Sequence, residues 1–485
     1  MWQGDFGRLF IGGEWVAPAS SDVLTVVSPV TELPIASVPS ASATDVDRAV
    51  TAARDAFDRG PWPRMPLEER IEVLRRLSGL LAERETDMAE LCTAEMGAPI
   101  AQSRLVQSQR SRAILDAAID QARSYPFDTY RDAPSGFARV MREPVGVVAA
   151  IVPWNAPHLT AMMKLPYGLL AGCTFVLKPS PETPLDAYLL AELADQAGLP
   201  SGVLNVVPAG REASEYLVRH QGVDKVSFTG SVAAGRRVGA ICGELIRRVT
   251  LELGGKSAAI VLDDADIETV VQSLRMSSFL NTGQVCSSKS RIVVSRRKAD
   301  ELTQGLVGML DSLPVGDPMN LATHFGPLAT EVHRRRVEEY VQIGRDEGAE
   351  VVTGGGRPQG LDRGWFVEPT VFTKVDPSMR IAREEIFGPV VSIIEYDDED
   401  DAIAIANDSE YGLNGQIYTG DPFHGIELAR RVRTGTVEIN ASPAGLDAPQ
   451  GGFKASGIGR ELGPEGFDAF IEIQAIGLPR DFVVQ

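Results

Sequence analysis

One cysteine in this chain stands where a thiol could attack a substrate. Cys286 lies in Asn281-Thr-Gly-Gln-Val-Cys286-Ser-Ser288, flanked by small and polar residues unlike those of a buried strand. The other three of the four cysteines, Cys92, Cys173 and Cys242, sit in apolar contexts and read as ordinary buried thiols. None of the five histidines is near Cys286 in sequence. A base must therefore come from elsewhere, or backbone dipoles must favour the thiolate. A carboxylate is on offer in Arg248-Val-Thr-Leu-Glu252-Leu-Gly254-Gly255. Glu252 sits between two leucines, and burial there would raise its pKa and ready it as a base. The alternative is a structural Glu bonded to backbone N–H groups.

Other residues could serve a ligand. Pro153-Trp154-Asn155 ends an apolar run. An Asn at the C-terminal end of a strand points into the ligand crevice of a doubly wound sheet, and its amide can donate to an oxyanion; a plain turn Asn is the alternative. Leu177-Lys178-Pro-Ser180 ends another run, so Lys178 either contacts ribose or phosphate or is a solvated lysine. In Phe228-Thr-Gly230-Ser231-Val-Ala-Ala-Gly235 glycines join a strand to a helix, where anions are favoured. The spacing is not Gly-x-Gly-x-x-Gly, and a tight turn explains it equally. Glu385-Ile-Phe387-Gly-Pro389 puts a carboxylate and an aromatic near a turn. Gly255-Lys256-Ser257 is not a P-loop, because Thr250 stands where that motif needs glycine. No His-Glu-x-x-His or comparable spacing suggests a catalytic metal.

The elements that must hold these residues are α/β. From Val145 onward, Val147–Val152, Thr174–Leu177, Val203–Val207, Lys225–Phe228 and Ala258–Leu262 are short apolar runs separated in part by helical stretches such as Pro184–Ala191. Buried strands alternating with helices mean a parallel, doubly wound sheet. A second α/β region is expected from about Asp266 to Ile439, with strands at Ser290–Val294 and Val390–Ile394. Earlier, Thr44-Asp45 reads as the cap of a helix that Gly60-Pro61 stops, and a longer amphipathic helix starts near Pro66. Gly136–Arg142 and Phe470–Gly477 alternate like exposed strands outside any βα unit, so they are expected to pair with another subunit.

Composition sets the bounds. A length of 485 residues allows about three domain-sized units. Hydrophobic and charged contents of 44% and 23% are those of a globular protein. A net charge of −19 argues against nucleic acid. No apolar run is long enough for a bilayer, and Met1-Trp-Gln-Gly-Asp5 has no leader-like pattern, so the expected compartment is a reducing cytoplasm.

Taken together and in order, Pro153-Trp-Asn155, Lys178-Pro-Ser180, Phe228-Thr-Gly-Ser231, Leu251-Glu-Leu-Gly-Gly-Lys256, Gly283-Gln-Val-Cys286, Glu385-Ile-Phe-Gly-Pro389 and Ser456-Gly-Ile-Gly-Arg-Glu461 resemble the signature blocks of the aldehyde dehydrogenase superfamily. The resemblance implies that Cys286 is the nucleophile and Glu252 the general base. It implies an oxyanion hole from Asn155 and the Cys286 N–H, and proton relay through Lys164 and Glu461. For the cofactor it implies Lys178 at the adenine ribose. Trp154, Gly230, Ser231 and Gly235 would lie along the pyrophosphate, with Ser180 and Leu253 in the same set. Glu385 would hold the nicotinamide ribose, with Phe387 beside the nicotinamide. The implied fold is a Rossmann-like cofactor domain (1–121 and 144–254), a catalytic domain (255–452) and a small β oligomerisation arm with the C-terminal segment (122–143 and 453–485). Dimers, often paired into tetramers, are usual in such proteins.

Many strictly NAD-dependent relatives carry Glu three positions after this lysine. Here that position is Pro181 and the acid is Glu182. NAD is the expected cofactor, with NADP left open. The aldehyde pocket is expected to be lined by Ala156, Leu159, Thr160, Met163, Val285 and Ser287, closed by a loop near Ser442–Leu446. None of these is Arg or Lys, so a medium or bulky hydrophobic aldehyde fits better than a carboxylated one. Two rivals are a CoA-acylating enzyme, which commonly lacks the base, and a non-catalytic protein on the same fold.

Overall fold

The computed structural model describes Gly4 and residues 6–482. The stretch read above for a leader falls largely on residues 1–3 and 5, outside the described ones. Among the described residues no helix is long and apolar enough to cross a membrane.

Two parallel-cored sheets carry the architecture. In the first, five parallel strands stand in the order Arg248–Glu252, Lys225–Thr229, Val147–Ile151, Thr174–Lys178, Leu204–Val206. Antiparallel Gly457–Ile458 closes one edge, and Leu9–Ile11 with Glu14–Val16 the other. The chain starts at the central strand Val147–Ile151, builds outward one way, then returns to its other side. That reversal is a topological switch point, where strand C-termini open a crevice. Apolar clusters cover both faces, which explains why these strands read as continuous hydrophobic runs.

The second sheet has seven strands, with Val390–Tyr396, Arg291–Ser295, Ala258–Val261 and Asn414–Tyr418 at its centre, all parallel. Its two faces pack in two further clusters. Ala258–Val261 therefore belongs here and not with the other four runs, as the sequence had grouped it. The chain crosses between sheets at Gly254-Gly255, and an apolar run carries no mark of which sheet it joins.

Two other expectations are corrected. The first long helix, Ala43–Asp58, is capped by Ser42 and not by Thr44-Asp45. Asp45 N–H donates to Ser42 Oγ (3.4 Å) and the Asp45 carboxylate accepts from Ser42 N–H (3.0 Å), so the acid three residues on selects the true cap. The expected strands Gly136–Arg142 and Phe470–Gly477 run instead over Gly136–Pro144 and Ile471–Leu478, and they pair with each other, antiparallel over eight residues, with Ile471–Leu478 left at the sheet edge. Asp128–Ala133 adds the third strand.

Ser42→Ala removes one half of the capping box and is expected to lower stability by about 1 kcal/mol. The urea midpoint measures it; an unchanged midpoint would show that Asp45 alone holds this helix end.

Candidate active site

The sheet order gathers the polar residues. Trp154 and Asn155 follow the central strand Val147–Ile151. Its neighbour Lys225–Thr229 leads through Gly230 to Ser231, whose side chain caps the helix Val232–Glu244. Glu252 ends the next strand along. From the second sheet come Cys286, in the loop before Arg291–Ser295, and Glu385 with Phe387, before Val390–Tyr396. Trp154, Asn155, Gly230, Ser231, Glu252, Leu253, Cys286, Glu385, Phe387 and Glu461 all line one cavity of about 1330 Å³. Single drug-sized ligands occupy roughly 300–1,000 Å³, so this cavity has room for a dinucleotide and a second molecule.

The Cys286 loop is forced into an unusual path. Asn281, Thr282 and Gly283 have φ of 50°, 55° and 71°, three consecutive left-handed residues. Such backbone persists only when its surroundings over-determine it. Thr282 Oγ1 donates to the Gly326 carbonyl (3.1 Å), Gln284 accepts from Ala329 N–H (3.0 Å), and Asn281 Nδ2 donates to the Asn155 carbonyl (3.0 Å). Asn155 Nδ2 in turn donates to the Gln284 carbonyl (2.9 Å). The Asn155 amide is thereby locked beside the loop, with its second N–H available to a developing oxyanion.

Electrostatically the site resists ionisation at Cys286, Glu252 and Glu385. Burial, then Glu385 and Glu252, push the half-buried Cys286 thiol up to about 12. The N–H groups of Ser287 and Cys286 oppose this but are outweighed, so backbone dipoles alone do not make a thiolate here. Glu252 is held well above the ordinary carboxylate range, by burial first and then by Glu461, with Lys164 and Arg460 opposing. Its Oε1 has no hydrogen-bond partner among the described residues, so the structural alternative of a Glu fixed by backbone N–H groups fails for that oxygen. Lys164 Nζ meets Glu461 Oε1 at 2.5 Å in a fully enclosed ion pair. Burial raises Glu385 to about 7, although Gly255 N–H donates to it at 3.0 Å.

Several wall residues were invisible to sequence reading. His333 and Arg336, one turn apart on the helix Glu331–Asp346, reach the cavity. The His333 ring lies 5.3 Å from Trp154, which meets Phe387 edge-on at 5.5 Å. Burial lowers His333 to about 4, so its neutral ring donates from Nε2 to the Phe387 carbonyl (2.6 Å). Arg336 donates to the Glu385 carbonyl (2.9 Å). Conversely, Lys178, Ser180 and Gly235 are not in the cavity wall. Lys178 is buried at its strand end, lowered to about 8, with Glu182 acting against that shift, and Ser180 Oγ donates to Glu182. Gly235 lies inside its helix against Leu253.

The six residues expected around a substrate, Ala156, Leu159, Thr160, Met163, Val285 and Ser287, all line the cavity, as does Pro443 of the expected closing loop. Cations absent from those six positions enter from elsewhere: Arg110, from a π-helical segment Arg104–Arg110, and Lys289.

Comparison with known proteins gives concordant results. The model of the aldehyde dehydrogenase family matches residues 15–476. Geranial dehydrogenase of Castellaniella defragrans is 46% identical over 98% of this chain and 99% of its own. 3-Succinoylsemialdehyde-pyridine dehydrogenase of a Pseudomonas species is 42% identical over 97% and 98%. The crystal structure of a Mycobacterium tuberculosis aldehyde dehydrogenase with NAD+ superposes with a TM-score of 0.97 at 46% identity, covering 99% of each chain. A cysteine-to-alanine mutant of aldehyde dehydrogenase C from Pseudomonas syringae, with NAD+ and octanal, gives 0.95 at 41%, covering 98% of each.

A thiol raised this far is mostly neutral at pH 7. Iodoacetamide labelling of Cys286 in the cofactor-free protein should be slow there and climb steeply with pH, without levelling off below about pH 9. A plateau near neutrality would contradict the charge balance described.

Proposed function

The chain belongs to the aldehyde dehydrogenase family, and from that premise we propose that it is an enzyme oxidising a medium or bulky hydrophobic aldehyde to the carboxylic acid with NAD. The observation that carries this reading is the meeting of Cys286, Glu252 and Asn155 in one cavity. Cys286 Sγ attacks the aldehyde carbon. Its proton passes toward a carboxylate, because the thiol is neutral at rest. The alkoxide so formed takes hydrogen bonds from Asn155 Nδ2 and the Cys286 N–H; losing one such donor typically costs about 3 kcal/mol of barrier. Oxidation leaves a thioester on Cys286. Glu252 then takes a proton from water, which releases the acid. Glu461, paired with Lys164, stands next in line to carry that proton away.

NAD, when bound, supplies the hydride acceptor. The residues present fit it. Thr229 Oγ1 is buried without a hydrogen-bond partner among the described residues, at the mouth of the Ser231 helix, where a phosphate would find free donors. Glu385 would meet the nicotinamide ribose and Phe387 the ring. Lys178, with Glu182 and Ser180 beside it, would face the adenine ribose. A carboxylate this close to Lys178 disfavours a 2′-phosphate, so NAD is preferred over NADP.

Glu252 favours water over CoA as the acyl acceptor, since a buried base has little use otherwise. The substrate class rests on the apolar walls, Leu159, Met163 and Val285, and on the similarity to a geranial dehydrogenase and to an enzyme crystallised with octanal. The domain division given above is part of the same proposal. So is a homodimer or homotetramer built on the three-stranded sheet, where Ile473 is 64% exposed on an edge strand.

NADH formation with a panel of aldehydes tests the reading: octanal-like and aromatic aldehydes should be oxidised faster than succinic semialdehyde, and Cys286→Ala should abolish the signal. Full activity of that variant, or a preference for the semialdehyde, would overturn it. Because Glu252 keeps its proton to higher pH than a free carboxylate, its basic form is lost as pH falls. Turnover should therefore keep rising with pH above the range in which a free carboxylate titrates, and a profile flat from there upward would remove Glu252 from the rate-limiting step.

A further inference from the structure

A second charged pair shares the cavity wall with Cys286 and has no part in the chemistry described so far. Lys289, three residues beyond the nucleophile, pairs with Glu438 at 3.3 Å, the side chains being 5% and 17% exposed. Both line the cavity. The turn that joins Cys286 to Lys289 is stapled to the end of the helix Ile267–Ser277. Lys289 N–H donates to the Ser277 carbonyl (3.0 Å), and Ser278 Oγ donates to the Lys289 carbonyl (2.8 Å). Ser288 Oγ donates to the Ser278 carbonyl (2.8 Å). Glu438 is anchored independently. Gln416 Nε2 donates to it at 2.6 Å and Asn414 Nδ2 at 3.2 Å, while Gln416 Oε1 accepts from Tyr418 OH (2.9 Å).

Burying an ion pair is expensive, and apolar side chains of similar volume usually serve packing as well or better. A cation fixed this firmly beside a nucleophile has an electrostatic use. Resting on the reading of Cys286 as nucleophile, we infer that Lys289, oriented by Glu438, is a positioning residue that stabilises the Cys286 thiolate. The charges facing Cys286 otherwise are Glu385 and Glu252, both acting against ionisation; Lys164 and Arg460 act on Glu252. Lys289 is the counterweight. The coupling is mutual: burial lowers the Lys289 ammonium, and Glu438 and the Cys286 charge hold it up. Glu438 keeps the ammonium protonated at the cost of part of its field.

Iodoacetamide labelling of the full-length, cofactor-free protein at about pH 7 reads the thiolate, with peptide mass spectrometry locating the label. A neighbouring opposite charge moves a pKa by about one unit or more, and the more basic thiolate is intrinsically more nucleophilic, which offsets roughly half of the loss. Lys289→Met should slow labelling of Cys286 by about threefold or more, and Lys289→Arg should restore the wild-type rate. Glu438→Gln, which removes the carboxylate that orients the ammonium and holds it protonated, should slow it as well, and should change it no further in the Lys289→Met background. A packing role would leave Lys289→Arg as slow as Lys289→Met, or would let Glu438→Gln slow labelling further in the Lys289→Met background, and either result overturns the inference while leaving Cys286 as nucleophile. Wild-type protein in which Cys286 takes no label would overturn both.

Discussion

Two backbone approaches too close for any side chain hold the Cys286 loop in place. A Cβ on Gly255 would lie 2.5 Å from the Cys286 carbonyl oxygen, and one on Gly283 would lie 2.2 Å from that of Gly388. Gly255 belongs to the segment that leaves the first sheet, and Gly388 to the turn that feeds the second. The loop carrying Cys286 is clamped between them, and its left-handed run at residues 281–283 is the path that this clamp imposes. Catalytic groups misplaced by about 1 Å can lose a hundredfold in rate, so the seam between the sheets sets the working geometry as firmly as the side chains do.

Around the clamped loop the cavity concentrates opposing charge. Glu252 and Glu461 are buried there and Glu385 is partly buried, and Lys164, Lys289 and Arg336 answer them. The outcome is that Cys286, Glu252 and Glu385 resist ionisation beside the Lys164–Glu461 ion pair. A reactive sulfur is thereby kept from indiscriminate chemistry, and the same burial that raises Glu252 makes it a stronger base once it is free.

Cys286, Glu252 and Asn155 stood out from their flanks and meet in one cavity, and four of the five parallel strands of the first sheet announced themselves as apolar runs. Residues supplied by distant surface-like segments were not legible. His333 and Arg336 lie in Glu331-Val-His-Arg-Arg-Arg336, which reads as a solvated helix; only the fold turns one face of it onto Trp154 and Glu385. Lys289 and Glu438 are far apart in sequence, and neither carries a local sign of the other. The strand Ala258–Val261 was legible as a strand but not in its membership, since hydrophobicity records burial and not the identity of the partner. The strands Gly136–Pro144 and Ile471–Leu478 were legible as strands in need of a partner, but not their pairing with each other, which joins segments far apart in sequence.

The central claim is that Cys286 carries the acyl group and Glu252 releases it. Intact-mass and peptide mass spectrometry of Glu252→Gln, quenched after mixing with NAD and a hydrophobic aldehyde, tests this most directly. The account predicts an acyl adduct on the peptide containing Cys286, accumulating because hydrolysis is slowed. An unmodified Cys286 in a variant that still forms NADH would contradict it.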